Sequence, residues 1–140
     1  MTYTAGLNGS IVGTSPQTVY YGADGTLVTA TPSLGYHFVS WSDSYPTAAR
    51  TDLGVTADIT ASASFAINSY TLTYTAGANG SIVGTTPQTV NHGSDGTLVT
   101  ATPALGYHFV SWSDAFPTAA RTDLGVTADI TASASFAINT

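Results

Sequence analysis

From Ile59 to Ile67 the chain alternates. Ile59, Ala61, Ala63, Phe65 and Ile67 fall on one side of an extended backbone, and Thr60, Ser62, Ser64 and Ala66 on the other. This two-residue period predicts a strand with one face in a core and one in water, as in an antiparallel or mixed sheet packed on one side. A second strand is predicted by Leu34-Gly35-Tyr36-His37-Phe38-Val39-Ser40-Trp41-Ser42-Asp43, in which four of ten residues carry rings and Gly35 supplies the turn before them. Upstream, Asn8-Gly9 separates Thr2–Gly6 from Gly9–Gly13, and its tolerance of positive φ predicts a tight hairpin. Asp24-Gly25 predicts another, between Thr18–Gly22 and Thr26–Pro32, after the break at Ser15-Pro16-Gln17. Ser44 to Asp58 is the least regular stretch. It reads as a long loop with at most one helical turn, opened by Ser44-Tyr45-Pro46 and ended by Leu53-Gly54.

Every one of these signals returns once. Thr2–Asn68 and Thr73–Asn139 match without a gap at an offset of 71, differing at eight positions: Leu7/Ala78, Ser15/Thr86, Tyr20/Asn91, Tyr21/His92, Ala23/Ser94, Ser33/Ala104, Ser44/Ala115 and Tyr45/Phe116. One module is therefore written twice, and the expected domains are residues 1–69 and 70–140. The expected fold is mostly β, two tandem modules with little or no helix. Trp41/Trp112, Tyr36/Tyr107, Phe38/Phe109 and Phe65/Phe136 are the candidate core anchors. Asn68-Ser69 is followed at once by the alternating Tyr70, Leu72 and Tyr74, too short and too strand-like for a flexible linker. The two modules are expected to form a stiff, end-to-end pair.

Composition removes several function classes. There is no Cys, hence no disulfide and no thiolate metal site, and no Lys, hence no Lys–Asn isopeptide cross-link. A Thr–Gln ester through Gln17 or Gln88 is formally open, but a surface amide in a turn is the simpler reading. The net charge is −6 and the only cations are Arg50 and Arg121, so no basic patch exists to hold nucleic acid or anionic lipid. No segment reaches the roughly 18 apolar residues of a membrane span. Met1-Thr2-Tyr3 opens without a charged region, apolar stretch or cleavage signal, so no signal peptide is expected within these residues. Met1 stands where the second copy has Leu72, which suggests an initiator Met placed at a cut in a longer array. Asn8-Gly9-Ser10 matches a glycosylation sequon, although the turn accounts for it.

Candidate chemistry is sparse. Each half holds Ser, His and Asp but no nucleophile elbow, and His37 and His108 lie within strands, where a sheet-surface role suffices. Asp24, Asp43, Asp52 and Asp58 offer oxygens for Ca²⁺, but without the spacing of a known calcium loop. Arg50 is expected to form a salt bridge with Asp43 or Asp52, and Arg121 one with Asp114 or Asp123, as ordinary ion pairs. Tyr20, Tyr21 and Tyr45 form the one sharper candidate, an aromatic patch for a sugar or protein; the second copy has Asn91, His92 and Phe116 there. No residue is assigned to catalysis, to a cofactor or to a metal.

The runs Tyr74–Ser81, Asn91-His92-Gly93, Ala101-Thr102-Pro103, Gly106–Trp112 and Val126–Phe136 together resemble the divergent InlB B-repeat. The resemblance covers both modules almost entirely. It implies a small β-grasp-like module without catalytic residues, found in tandem in large secreted or surface-attached, often adhesin-like, bacterial proteins. The expected function is therefore that of an extracellular stalk or spacer whose partners are neighbouring repeats of the same chain. The alternative is an adhesion module that binds a glycan or host protein through exposed tyrosines.

Overall fold

The computed structural model describes every residue from Met1 to Thr140 and contains strands but no helix. The chain divides into two compact units, Met1–Asn68 and Ser69–Thr140. The first holds β1 (Thr2–Ala5), β2 (Gly9–Val12), β3 (Val28–Pro32), β4 (Tyr36–Trp41), β5 (Ala49–Arg50) and β6 (Thr60–Ile67). The second holds β7 (Ser69–Ala76), β8 (Gly80–Val83), β9 (Gln88–Asn91), β10 (Val99–Pro103), β11 (Tyr107–Trp112), β12 (Ala120–Arg121) and β13 (Ile130–Ile138). In the first unit β6 is the centre of a mixed sheet, parallel to β1 and antiparallel to β4. A second, antiparallel sheet has β3 between β2 and β5. The second unit repeats both sheets and adds β9 antiparallel to β7. The chain is thus mostly β, with one arrangement used twice.

The alternation of β6 does what its period predicts from Thr60 to Phe65 but not at its end, where Ile67 is exposed. Ala61 and Ala63 are buried while Ser62 and Ser64 are exposed. These small central residues leave room for rings from both neighbours: Tyr3 of β1 lies opposite Ala61, and Trp41 of β4 opposite Ala63. Tyr3 and Trp41 meet edge to face with centroids 6.1 Å apart, a favoured geometry for aromatic pairs. Val28 and Ala30 of β3 close the core from the other sheet. The matching core of the second unit holds Leu72, Tyr74, Val99, Ala101, Trp112, Val126, Ala132 and Ala134.

Within β4 the register shifts between Phe38 and Ser40, a bulge at Val39 that recurs at Val110 in β11. Strict alternation would set Phe38 and Trp41 on opposite faces. The extra residue brings both into one core, with centroids 6.1 Å apart, and leaves Val39 half exposed. Of the candidate anchors, Trp41 and Trp112 are fully buried, and Phe38, Phe65, Phe109 and Phe136 pack against the clusters. Tyr36 and Tyr107 do not belong there. They are half-buried outside the clusters, and the buried tyrosines are Tyr3 and Tyr74 instead.

Both hairpin expectations are corrected. Asn8 takes a positive φ of 68°, so the turn is real, but the strands on its two sides enter different sheets. Gly9 is needed for space, since a Cβ there would overlap the Phe65 ring. Asp24-Gly25 does not close a hairpin either, because β2 and β5 already occupy both edges of β3. Instead the Gly25 N–H donates to the Asp52 carbonyl at 2.7 Å, and Asp24 Oδ1 accepts from the Gly54 N–H at 2.8 Å, which pins this segment to the long loop. That loop has no helical turn: Ser44 has φ 62°, outside the right-handed helical region.

Gln17 and Gln88 are not surface amides. Gln17 is buried; its Nε2 donates to the Thr14 and Thr26 carbonyls at 2.9 and 3.0 Å, and its Oε1 accepts from the Thr26 N–H at 2.8 Å. Gln88 repeats these bonds with Thr85 and Thr97. Its truncation removes three hydrogen bonds to backbone groups, so Gln88→Ala is expected to cost about 1–3 kcal/mol. A melting curve for the second unit that matches the parent would contradict this role.

Candidate functional site

The most polar buried feature of each unit surrounds its single arginine. Arg50 ends the two-residue strand β5 and is only 2% exposed. Its Nη1 and Nη2 donate to the two oxygens of Asp43 at 2.9 and 2.8 Å. Its Nε and Nη2 donate to the two oxygens of Asp52 at 3.0 and 2.7 Å. The Tyr3 hydroxyl donates to Asp52 Oδ2 at 2.6 Å. The guanidinium carbon lies 5.3, 5.0 and 4.5 Å from the ring centroids of Tyr3, Trp41 and Tyr45. Arg121, Asp114, Asp123, Tyr74, Trp112 and Phe116 repeat the arrangement. The expected pairs therefore form, both at once in each unit. They are not ordinary surface ion pairs, because each arginine is sealed beneath aromatic rings. The planar guanidinium suits this place, since it forks onto two carboxylates while its faces meet rings.

The cluster sets its own ionisation. Hydrogen bonds from Arg50 and from Arg121 hold the Asp43 and Asp114 carboxyls below the usual range. Burial pushes Asp52 up, but hydrogen bonds from Arg50 and Tyr3 outweigh it and hold this carboxyl low as well. Burial and donation to an aspartate raise the Tyr3 and Tyr74 hydroxyls far above their ordinary range. Carboxyls that are more acidic when folded add stability above the unfolded carboxylate pKa, and that stability is lost as pH falls through their folded values. Stability is thus expected to be level above about pH 5 and to fall steadily below about pH 4. Urea unfolding followed by tryptophan fluorescence checks this, and a midpoint unchanged down to about pH 2 would contradict it.

The remaining candidates do not converge. His37 Nδ1 lies 2.8 Å from Asn68 Oδ1, and His108 Nδ1 lies 3.0 Å from Asn139 Oδ1, both at exposed positions. Neither histidine has a Ser or Asp hydrogen-bond partner, so no Ser-His-Asp arrangement is assembled. No group of three or more His, Asp or Glu side chains comes close enough to hold a metal ion together. Asp24 is engaged with the Gly54 N–H, and Asp43 and Asp52 with Arg50. The tyrosine candidate splits: Tyr20 and Tyr21 are 91% and 86% exposed, whereas Tyr45 is half-buried over Arg50. Phe116 does the same over Arg121, which explains why this position needs a ring and no hydroxyl.

One concave feature was not anticipated from the sequence. A groove of about 570 Å³ in the first unit runs between Gln17–Tyr21 and Val55–Asp58, with Met1 at one end. Its lining is mostly polar, from Gln17, Thr18, Thr56 and Asp58, with Pro16, Val19, Val55 and the Tyr21 ring adding apolar atoms.

A family model described as the divergent InlB B-repeat domain matches residues 1–69 and again residues 70–140. No curated protein matches the chain, and no solved structure does.

Proposed function

This chain belongs to the divergent InlB B-repeat family, and from that premise we propose that it is a non-catalytic spacer in a bacterial surface or secreted protein. The observation that carries the reading is the junction: β6 ends at Ile67 and β7 begins at Ser69, so only Asn68 lies between the last strand of one repeat and the first of the next. A joint of one residue between strands is shorter than a flexible linker needs. The arginine clusters support the same role. They tie the long loop of each unit to its core without a disulfide. Small-angle scattering of the full chain tests the reading: one elongated species is expected, and a broad ensemble of distances would overturn it.

The exposure of Tyr20 and Tyr21 supports a second reading, an adhesion module that stacks these rings on a glycan or a host protein. Binding of the labelled chain to an array of glycans and matrix proteins separates the two. Saturable binding lost in a Tyr20→Ala, Tyr21→Ala variant supports adhesion, and silence favours the spacer.

A further inference from the structure

The first and last strands of each unit are neighbours. In the second unit β7 and β13 run parallel, pairing Leu72 with Ile130, Thr73 with Thr131, Tyr74 with Ala132, Thr75 with Ser133 and Ala76 with Ala134. The Gly77 N–H extends this ladder by donating to the Ala134 carbonyl at 2.8 Å. In the first unit β1 and β6 pair in the same way, from Thr2 with Thr60 to Ala5 with Ala63. There the Gly6 N–H donates to the Ala63 carbonyl, again at 2.8 Å. None of the eight differences between the copies falls at Thr2–Gly6 or at Thr60–Ile67, so both units carry the same pair.

Tension along the chain enters a unit through its first strand and leaves through its last. Because the two strands are parallel, the loaded ends lie at opposite ends of the pair, and the pull acts along the strands. Ladder bonds run from strand to strand, evenly spaced in a parallel pair, so this pull loads all of them at once. A pull on the same end of both strands would instead open the bonds one after another. Side chains oppose sliding as well. Tyr74 is 2% exposed, its ring meets that of Trp112 at 6.0 Å, and the Arg121 guanidinium lies 5.2 Å from it. Its hydroxyl donates to Asp123 Oδ2 at 2.5 Å. On the other edge of β7 the Thr86 hydroxyl accepts from the Tyr74 N–H at 2.8 Å and donates to the Tyr74 carbonyl at 3.0 Å. A slip of one residue would turn Tyr74 out of the core, and a slip of two would draw it to the place of Leu72. Tyr3 is held in the same way by Trp41, Arg50, Asp52 and Ser15.

We propose that the parallel pair of first and last strands is a shear clamp, and that each unit bears tension between its two ends. The ladder carries the load, and the buried tyrosine, fastened to the aspartate of the arginine cluster, stops the strands from sliding. The rest of the unit lies off the loaded path for as long as the pair holds. Only Asn68 separates β6 from β7, so force leaving one clamp enters the next without a linker that could stretch first. This deepens the spacer reading and rests on it for its purpose, while the dependence on pulling direction is a property of each unit alone.

The test stretches the full chain one molecule at a time. The chain has no cysteine, so a pair of introduced cysteines fixes where force is applied. Ser69→Cys with Thr140→Cys pulls β7 and β13 from opposite ends, and Ser69→Cys with Ala128→Cys pulls them from the same end. All three positions are exposed. At one loading rate the opposite-end pair is expected to need at least about twofold more force to unfold the second unit, since its bonds must break together. Ser69→Cys is common to both variants, so any effect it has on stability enters both forces. Equal forces, or a higher force for the same-end pair, overturn the proposal. The unaltered chain, held by its two ends, gives a second reading that needs no substitution. Two single-step ruptures are expected, one for each unit, and a unit that lengthens by degrees overturns the clamp. Neither failure touches the scattering test of the spacer, and a broad ensemble in scattering would end the spacer reading without changing the ratio of forces.

Discussion

Replacing Trp112 by Ala is expected to lower the stability of the second unit by about 3–5 kcal/mol, a large share of what a domain this small possesses. Trp112 is 2% exposed and contributes to the fold in three ways. Its ring fills the space opposite Ala134 and meets Tyr74 and Phe109 at 6.0 and 6.1 Å. Its Nε1 donates to the Thr118 carbonyl at 2.9 Å, holding the start of the long loop. It also forms part of the lid over Arg121, whose guanidinium lies 5.0 Å from the ring. Truncation therefore leaves a cavity, an orphaned carbonyl and a hydrated arginine together. Calorimetry on the two-unit chain should show one transition lost or strongly lowered and the Trp41 unit still melting near its parent temperature. A variant that melts like the parent in both transitions refutes the core assignment.

Removing the arginine from the first unit is expected to have a comparable effect by a different route. Arg50→Ala leaves two carboxylates facing each other in a site built for one cation, and breaking a buried ion cluster on one side typically costs about 3–5 kcal/mol. Four hydrogen bonds disappear, and the Asp52 carboxylate keeps only its bond from Tyr3. The loop that holds Asp52 also fastens Gly25 and Asp24, so the loss should spread to the segment ahead of β3. Arg50→Lys separates charge from geometry: an ammonium keeps the sign but cannot fork onto both aspartates. Its melting temperature is expected between those of the parent and Arg50→Ala. Equal stability of Arg50→Lys and the parent would show that charge alone suffices. Raising the pH should not rescue Arg50→Ala, whereas acid, which protonates the stranded aspartates, should narrow its deficit against the parent.

Both substitutions act within one unit, and the other unit serves as an internal reference. The eight differences between the copies show what the frame accommodates. Ser15 and Thr86 both present a hydroxyl that accepts from and donates to the backbone of Tyr3 or Tyr74. Tyr45 and Phe116 both present a ring over the guanidinium. Tyr20 and Leu7 are exposed and place no such demand.

The amino-acid sequence by itself determined the duplication, the mostly β character, the β6 alternation and tryptophan as core anchor. Each of these follows from local periodicity or from plain identity between the halves. Partner choice was a different matter. Asn8-Gly9 states that the chain turns but not which edge each arm will meet, and β1 finds β6 because Tyr3 fits against Ala61. The bulge at Val39 was illegible because it depends on the register of β4 against β6. The arginines could be paired with aspartates from composition, but their burial could not, since the lid joins Trp41 and Tyr45, near Arg50 in the chain, to Tyr3 from the far end of the unit. Short-range pattern fixes how a segment is extended and which face is apolar; hydrogen-bond partners and burial are set by contacts between segments far apart in sequence, and only the tertiary structure decided those.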